Sequence, residues 1–197
     1  MSERTLLFDC ETTGKVDFKA SPSAPYQPRI VQLAAMLVEG ESELASLNVV
    51  FEPDNYLIPV EASNIHGVTT ARAYEIGVPI APVLETFLHL IDHADWIVGH
   101  NVAFDIYCAN IEFYKHNHAN PFLEKATFCT MKSSTDICRL TGPYGYKWPK
   151  LSEVYQFAFG EELQKAHNAM LDLRATLRVY NWLKNKTAER TVAGMPV

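Results

Sequence analysis

Cysteine is sparse in this 197-residue chain: there are four, and no two form a CxxC pair. Cys10, Cys108, Cys129 and Cys138 are too scattered for a small disulfide scaffold, and a reduced, cytoplasmic setting is expected. No apolar run approaches the roughly 20 residues that a membrane crossing needs. The opening MSERTLLFDC lacks a basic stretch followed by a long apolar one, so neither a secretory signal peptide nor membrane attachment is expected. Internal repeats and low-complexity tracts are missing as well. Basic residues are in deficit, with 17 Lys and Arg against 23 Asp and Glu and a formal charge of −6. That argues against the broad basic stripe with which proteins grip long duplexes through their phosphates. It leaves open a chain whose clustered carboxylates account for the acidity and whose bound cations offset it where a polyanion docks.

What is present is an ordinary globular balance, 48% hydrophobic and 20% charged, enough for one domain with a substantial core. The pattern predicts a single domain over residues 1–185, with 186–197 as a flexible tail. Strands are expected at 5–10, 29–40 and 43–53, the last two joined by a tight turn at Gly40. Two further strands are expected at 95–100 and 126–131. Helices are expected at 59–69, ending near Gly67, and at 78–94, where Val83, Leu84, Phe87, Leu88 and Ile91 recur at helical spacing. Others are expected at 102–116 behind a cap at Asn101, from Met131 to Gly142, at 151–160 and at 168–185. Phe157 in QFAF reads as a core position of its helix. Residues 15–28, with Pro22, Pro25 and Pro28, read as a loop longer than a plain connection requires. Three strands followed by helices alternating with two more strands make a mixed α/β sheet with helices on its faces.

Three short pieces hold the chemistry. In LLFDCETTG, Asp9 and Glu11 lie two apart at the end of a strand, so they share one face at its C-terminal end, where ligands gather in open α/β sheets. Oxygen donors of this kind suit Mg²⁺ or Mn²⁺. Cys10, between them, points to the opposite face and is not expected to bind zinc. In GHNVAFD, His100 and Asn101 stand at a strand–helix junction and Asp105 one turn into the helix. In AHNAMLD, His167 and Asp172 are five apart, about 140° around a helix, so one helical face cannot present both. His167 is therefore expected in the loop before the helix, free to swing, with Asp172 inside the helix. Each piece alone has a plain structural reading: a solvated strand-end acid, an acid favoured by a helix dipole, a capping histidine. Four carboxylates and an imidazole brought together are the equipment of a two-metal phosphodiester hydrolase.

The three pieces also resemble a family's motifs. DCETTG is similar to DxETTG, HNVAFD to HNxxFD and HNAMLD to HxAxxD, the motifs of DEDDh, or DnaQ-like, 3′–5′ exonucleases. The resemblance runs from about residue 4 to 183 and takes in IVQLAA and SNIHGVT. It implies an RNase H-like fold with a five-stranded mixed sheet whose second strand is antiparallel. It implies two divalent cations, Mg²⁺ or Mn²⁺, held by Asp9, Glu11, Asp105 and Asp172, with His167 as general base. It implies a pocket for the terminal nucleotide lined by Thr12, Thr13, Gly14, His66, Asn101 and Phe104. The substrate expected is the 3′ end of a nucleic acid, single-stranded DNA ahead of RNA, with nucleoside 5′-monophosphates as product. Likeness to the proofreading branch brings association with a polymerase as a further expectation. An RNA-trimming enzyme and a non-catalytic binding module that keeps the fold are the alternatives. The stretch GPYGYKWPK (142–150) lies where the likeness thins; its alternating aromatic and basic residues suit base stacking or, equally, a plain cover over the core.

Overall fold

The computed structural model describes residues 3–163 and 169–192. Five strands form one sheet: β1 (Arg4–Thr12), β2 (Ile30–Glu39), β3 (Ser42–Val50), β4 (Trp96–Gly99) and β5 (Ala126–Cys129), in the order β3-β2-β1-β4-β5. β2 runs antiparallel to both β1 and β3, while β4 is parallel to β1 and β5 parallel to β4. This is the mixed, RNase H-like sheet implied by the motifs. Gly40, at φ 63°, makes the tight turn between β2 and β3.

Helices cover both faces, and the period-2 alternation of β1 decides which residue sees which. Leu6, Phe8 and Cys10 point toward α3 (Ile80–Asp92) and α4 (Val102–Lys115). There Phe8, Phe87, Phe113 and Phe122 form an aromatic cluster, with Phe8 edge-on to Phe87 at 5.0 Å and stacked on Phe122 at 5.6 Å. Leu7 points the other way, onto α7 (Ala169–Val192), where it packs with Ala34, Met36, Val98, Leu173 and Tyr180. Asp9 and Glu11 continue the Leu7 row, so the sheet's hydrophobic register aims both carboxylates at α7. The chain shifts register against β2 between Glu11 and Thr12, an irregularity of the kind that turns a strand end toward a site.

Several boundaries differ from the sequence-based expectations. The segment 59–69 is only the first of two helices: α1 (Val60–His66) stops at Gly67, φ 80°, and α2 (Thr70–Ile76) begins after Thr69, whose hydroxyl accepts the Arg72 N–H at 3.1 Å. β5 ends at Cys129, and α5 (Thr130–Cys138) stops at Arg139 in a left-handed conformation, φ 50°, short of Gly142. Gly142 instead pairs with Gly145 in a hairpin of β6 (Thr141–Gly142) and β7 (Gly145–Tyr146), where Gly145 takes φ 121°. The hairpin uses the glycines that the sequence pattern suggested as a helix stop. Phe157, on α6 (Leu151–Phe159), is 52% exposed and meets Trp182 edge-on; it is not core. The last helix runs to Val192, beyond the expected end at 185. No described helix is long and apolar enough to cross a membrane.

Residues 15–28 form a loop of successive turns. Its end is anchored by Arg29, whose guanidinium grips Glu112 of α4 with two bonds of 2.8 and 3.0 Å and lies 4.7 Å from the centroid of the Tyr56 ring. Glu112 is 1% exposed and also accepts the Ile30 N–H at 3.0 Å. Glu112→Ala is expected to cost about 3–5 kcal/mol in urea denaturation, because it strands a desolvated guanidinium and a backbone donor. A loss below about 1 kcal/mol would show that the pair adds little.

Candidate active site

The site is assembled at the C-terminal ends of β1 and β4. Asp9 and Glu11 reach it from β1, and Asp172 from the first turn of α7. Oxygen atoms of these three carboxylates all lie within 4.8 Å of one another, and all three residues are half-buried. Asp105 enters from α4, on the other side of β1. It is 3% exposed, and its Oδ1 accepts the Cys10 N–H at 3.0 Å. The β1–β4 pairing runs only as far as Leu7 opposite Val98, so Asp105 supplies an acceptor beyond the end of the ladder.

Crowding acids into a desolvated corner raises their proton affinity. Burial first, then Glu11 and Asp172, push Asp9 up to about 8. Burial, then Asp172, push Glu11 up to about 7. Asp105 is driven well above the usual carboxylate range by burial and by Asp9, with the Cys10 N–H pulling the other way. Left to protons alone, the cluster holds several of them near neutral pH. A divalent cation does the same neutralising work, and an all-oxygen donor set fits Mg²⁺ or Mn²⁺. Cys10 is buried on the core face with its thiol pushed up by burial, in keeping with a neutral packing role.

Two clefts flank the carboxylates. One, of about 360 Å³, is lined by Glu11, Thr12, Thr13, Gly14, Lys15, Ile65, His66 and Phe104, among others. It gathers five of the six residues expected around a terminal nucleotide. Asn101 is not among its lining residues: it takes φ 72° at the start of α4 and makes no side-chain capping bond. The two threonine hydroxyls hold the loop itself. Thr12 Oγ1 donates to the Gly14 carbonyl at 2.7 Å, and Thr13 Oγ1 accepts the Arg29 N–H at 2.9 Å. His66 Nδ1 accepts the Val68 N–H at 3.1 Å, which places the ring proton on Nε2.

The second cleft, of about 370 Å³, contains Asp9 and Asp172 together with His100, Lys150, Ser152 and Thr176. Burial pushes His100 below its ordinary value, so the ring is neutral near pH 7. Its Nε2–H then donates to the Pro149 carbonyl at 3.0 Å, and its Nδ1 lies 3.0 Å from the Thr130 hydroxyl, which is also 3.3 Å from the Gly99 carbonyl. Sequence reasoning placed His100 at the junction without a role, met Lys150 only within the aromatic and basic stretch 142–150, and did not find Ser152 or Thr176. No spacing links them to Asp9, because only the packing of α6 and α7 beside β1 brings them there. His167 lies outside the described residues.

A β3-β2-β1-β4-β5 sheet makes this an RNase H-like fold, with Asp9, Glu11 and Asp172 clustered at the end of β1 and Asp105 reaching β1 from α4. The sequence settles the family: residues 6–180 match the model of the RNase T exonuclease family, and the chain belongs to it. Among solved structures it is similar to Escherichia coli exonuclease I. The complex with a dA16 oligonucleotide superposes with a TM-score of 0.75 at 22% identity, over 95% of this chain and 42% of that one. For the complex with a dT13 oligonucleotide the values are 0.76 and 22%, over 98% and 43%. For the zinc-bound form of the complex with single-stranded DNA they are 0.75 and 22%, over 95% and 42%. At this identity the likeness speaks for the fold. The chain spans less than half the length of the exonuclease I chains it matches. No curated protein sequence matches it.

Proposed function

We propose that this exonuclease domain removes nucleotides from the 3′ end of single-stranded DNA, releasing nucleoside 5′-monophosphates. The observation that carries the reading is the meeting of Asp9, Glu11 and Asp172 within 4.8 Å, with Asp9 and Glu11 holding protons at pH values where exposed acids are ionised. A protein that only bound nucleic acid would have no use for such a repulsive cluster.

Asp9, Glu11 and Asp172 would hold two divalent cations, and Asp105 would complete the acidic site from the α4 side. Bound there, the cations would activate water and offset charge on the phosphate. The residues of the chain divide the rest of the work. The Thr12–Gly14 turn, His66 and Phe104 form the walls that orient the terminal nucleoside, with the phenyl ring offering an apolar face to the base. Arg29 holds Thr13 through its backbone on both sides, the Thr13 N–H donating to the Arg29 carbonyl at 2.9 Å. His167, five residues before Asp172 in the chain, is assigned as the base that takes the proton from the attacking water.

The test uses 5′-labelled single-stranded DNA, duplex DNA and RNA, each with Mg²⁺ or Mn²⁺ and with EDTA as control. The expected result is a ladder of shortening products from single-stranded DNA that vanishes in EDTA. Release of the 5′ label as a mononucleotide in the first turnovers would overturn the polarity. RNA shortened faster than DNA would overturn the sugar preference, and no shortening with either metal would overturn the activity.

A further inference from the structure

The hairpin β6–β7 and the segment after it carry three aromatic rings in the open. Tyr144 is fully exposed, Trp148 is 64% exposed and Tyr146 is 51% exposed. The hairpin is a two-stranded sheet separate from the main one, and three rings this exposed within five residues of chain call for an occupant. Their backbone is nevertheless tethered. The Lys147 N–H donates to the Leu140 carbonyl at 2.8 Å, the His100 ring holds the Pro149 carbonyl at 3.0 Å, and the Lys150 N–H donates to Glu153 at 2.7 Å. The Lys147 ammonium also pairs with the Glu153 carboxylate.

The tether leads straight into the acidic site. His100 and Lys150, on either side of the Pro149 anchor, line the same cleft as Asp9 and Asp172, with Ser152 beside them. The terminal-nucleoside cleft lies on the Glu11 side of the carboxylates, and this cleft on the Asp9 and Asp172 side. For a strand whose scissile phosphate rests on the carboxylates, with its last nucleoside in the first cleft, the second cleft offers a path on the other side of the acids. Lys150, which ends the segment that carries the rings, lines that second cleft.

We propose that the segment from Tyr144 to Lys150 is the track for the single-stranded part of the substrate 5′ to the scissile bond. Bases stack on Trp148 and Tyr146, and the Lys150 ammonium meets a backbone phosphate. The inference rests on the exonuclease reading and adds to it the surface that selects unpaired polymer. Stacking on an aromatic ring tolerates any base and demands that the base be unpaired. Lys150 supplies positive charge beside carboxylates in a chain of net charge −6, where a polyanion would otherwise be repelled. A hydrophobic protein partner on the same rings is the competing occupant, and it predicts no dependence on strand length.

The experiment compares two substrates with Mn²⁺: a single-stranded 12-mer, which reaches the rings, and the p-nitrophenyl ester of thymidine 5′-monophosphate, which does not. Trp148→Ala is expected to lower kcat/KM on the 12-mer by roughly tenfold or more relative to the ester, mainly through KM, with Trp148→Phe recovering most of the loss. Binding of a labelled 12-mer in EDTA should weaken in parallel for Trp148→Ala and recover for Trp148→Phe. Equal losses on both substrates, or none on the 12-mer, would overturn the track. If the unaltered protein cleaves neither substrate, the exonuclease reading fails and binding decides the track: 12-mer affinity that does not depend on Trp148 ends it.

Discussion

Asp172→Asn is expected to remove at least about 99.9% of the cleavage activity, a barrier increase of about 4 kcal/mol, while leaving the protein folded. The side chain keeps its size, so the packing of α7 on the sheet through Leu173 and Tyr180 is undisturbed. The charge is what changes. After burial, the Asp172 charge contributes to the raised proton affinity of both Asp9 and Glu11. Without it the two remaining acids lose a repulsive neighbour, and in the absence of metal the variant should be as stable as the parent or more so near pH 8. Asp9→Asn should behave alike, because Asp9 sits at the centre of the cluster and also raises Asp105. Rates on labelled single-stranded DNA, set beside urea denaturation of the same samples, separate the two effects. Full metal-dependent activity in either variant would remove the carboxylates from the chemistry. Lost activity together with lost folding would leave them a structural role only.

Raising the pH of the metal-free protein from about 4 to about 8 is expected to destabilise it, and divalent cations should reverse the loss. In the unfolded chain Asp and Glu ionise near pH 4. In the fold Asp9 keeps its proton until about 8 and Glu11 until about 7, and Asp105 is shifted in the same direction. Across that window the folded state binds more protons than the unfolded one, so stability falls as pH rises. The contribution of Asp9 and Glu11 is complete below about pH 4 and gone above about pH 8. Cations that replace those protons bind more tightly as the pH rises. At about a hundredfold excess over its dissociation constant, Mg²⁺ or Mn²⁺ should raise the melting temperature at pH 8 by roughly 5–10 °C, and by much less at pH 5. Thermal melts with and without EDTA at the two pH values measure this, with Asp9→Asn as the control that should flatten both dependences. A cation-induced shift that is the same at pH 5 and pH 8 would contradict the origin assigned to it.

Local pattern carried much of the fold. Alternation along β1 puts Asp9 and Glu11 on one face and Cys10 on the other, and the structure keeps that arrangement because the same alternation sorts Leu7 from Leu6 and Phe8 into opposite cores. The helical spacing of Leu84, Phe87 and Ile91 likewise marks the buried face of α3. Pattern failed where one residue type serves two purposes. Gly142 ends no helix because it is needed opposite Gly145 in a hairpin, and Arg139 takes the left-handed stop in its place. Thr69, the last residue of the segment expected as one helix, caps a second.

At the site, the linear order of residues suffices to say which side chains are available and how near neighbours face: two acids on one strand face, one acid a turn into α4, one in the first turn of α7. These are short-range properties, set by backbone periods of two and 3.6 residues. Three meetings come from the folded arrangement alone. Asp172 joins Asp9 and Glu11, Asp105 answers the Cys10 N–H from behind the strand across 95 residues, and His100 ties down Pro149 across 49 residues. Such contacts depend on how strands pair and helices dock, which no local period encodes.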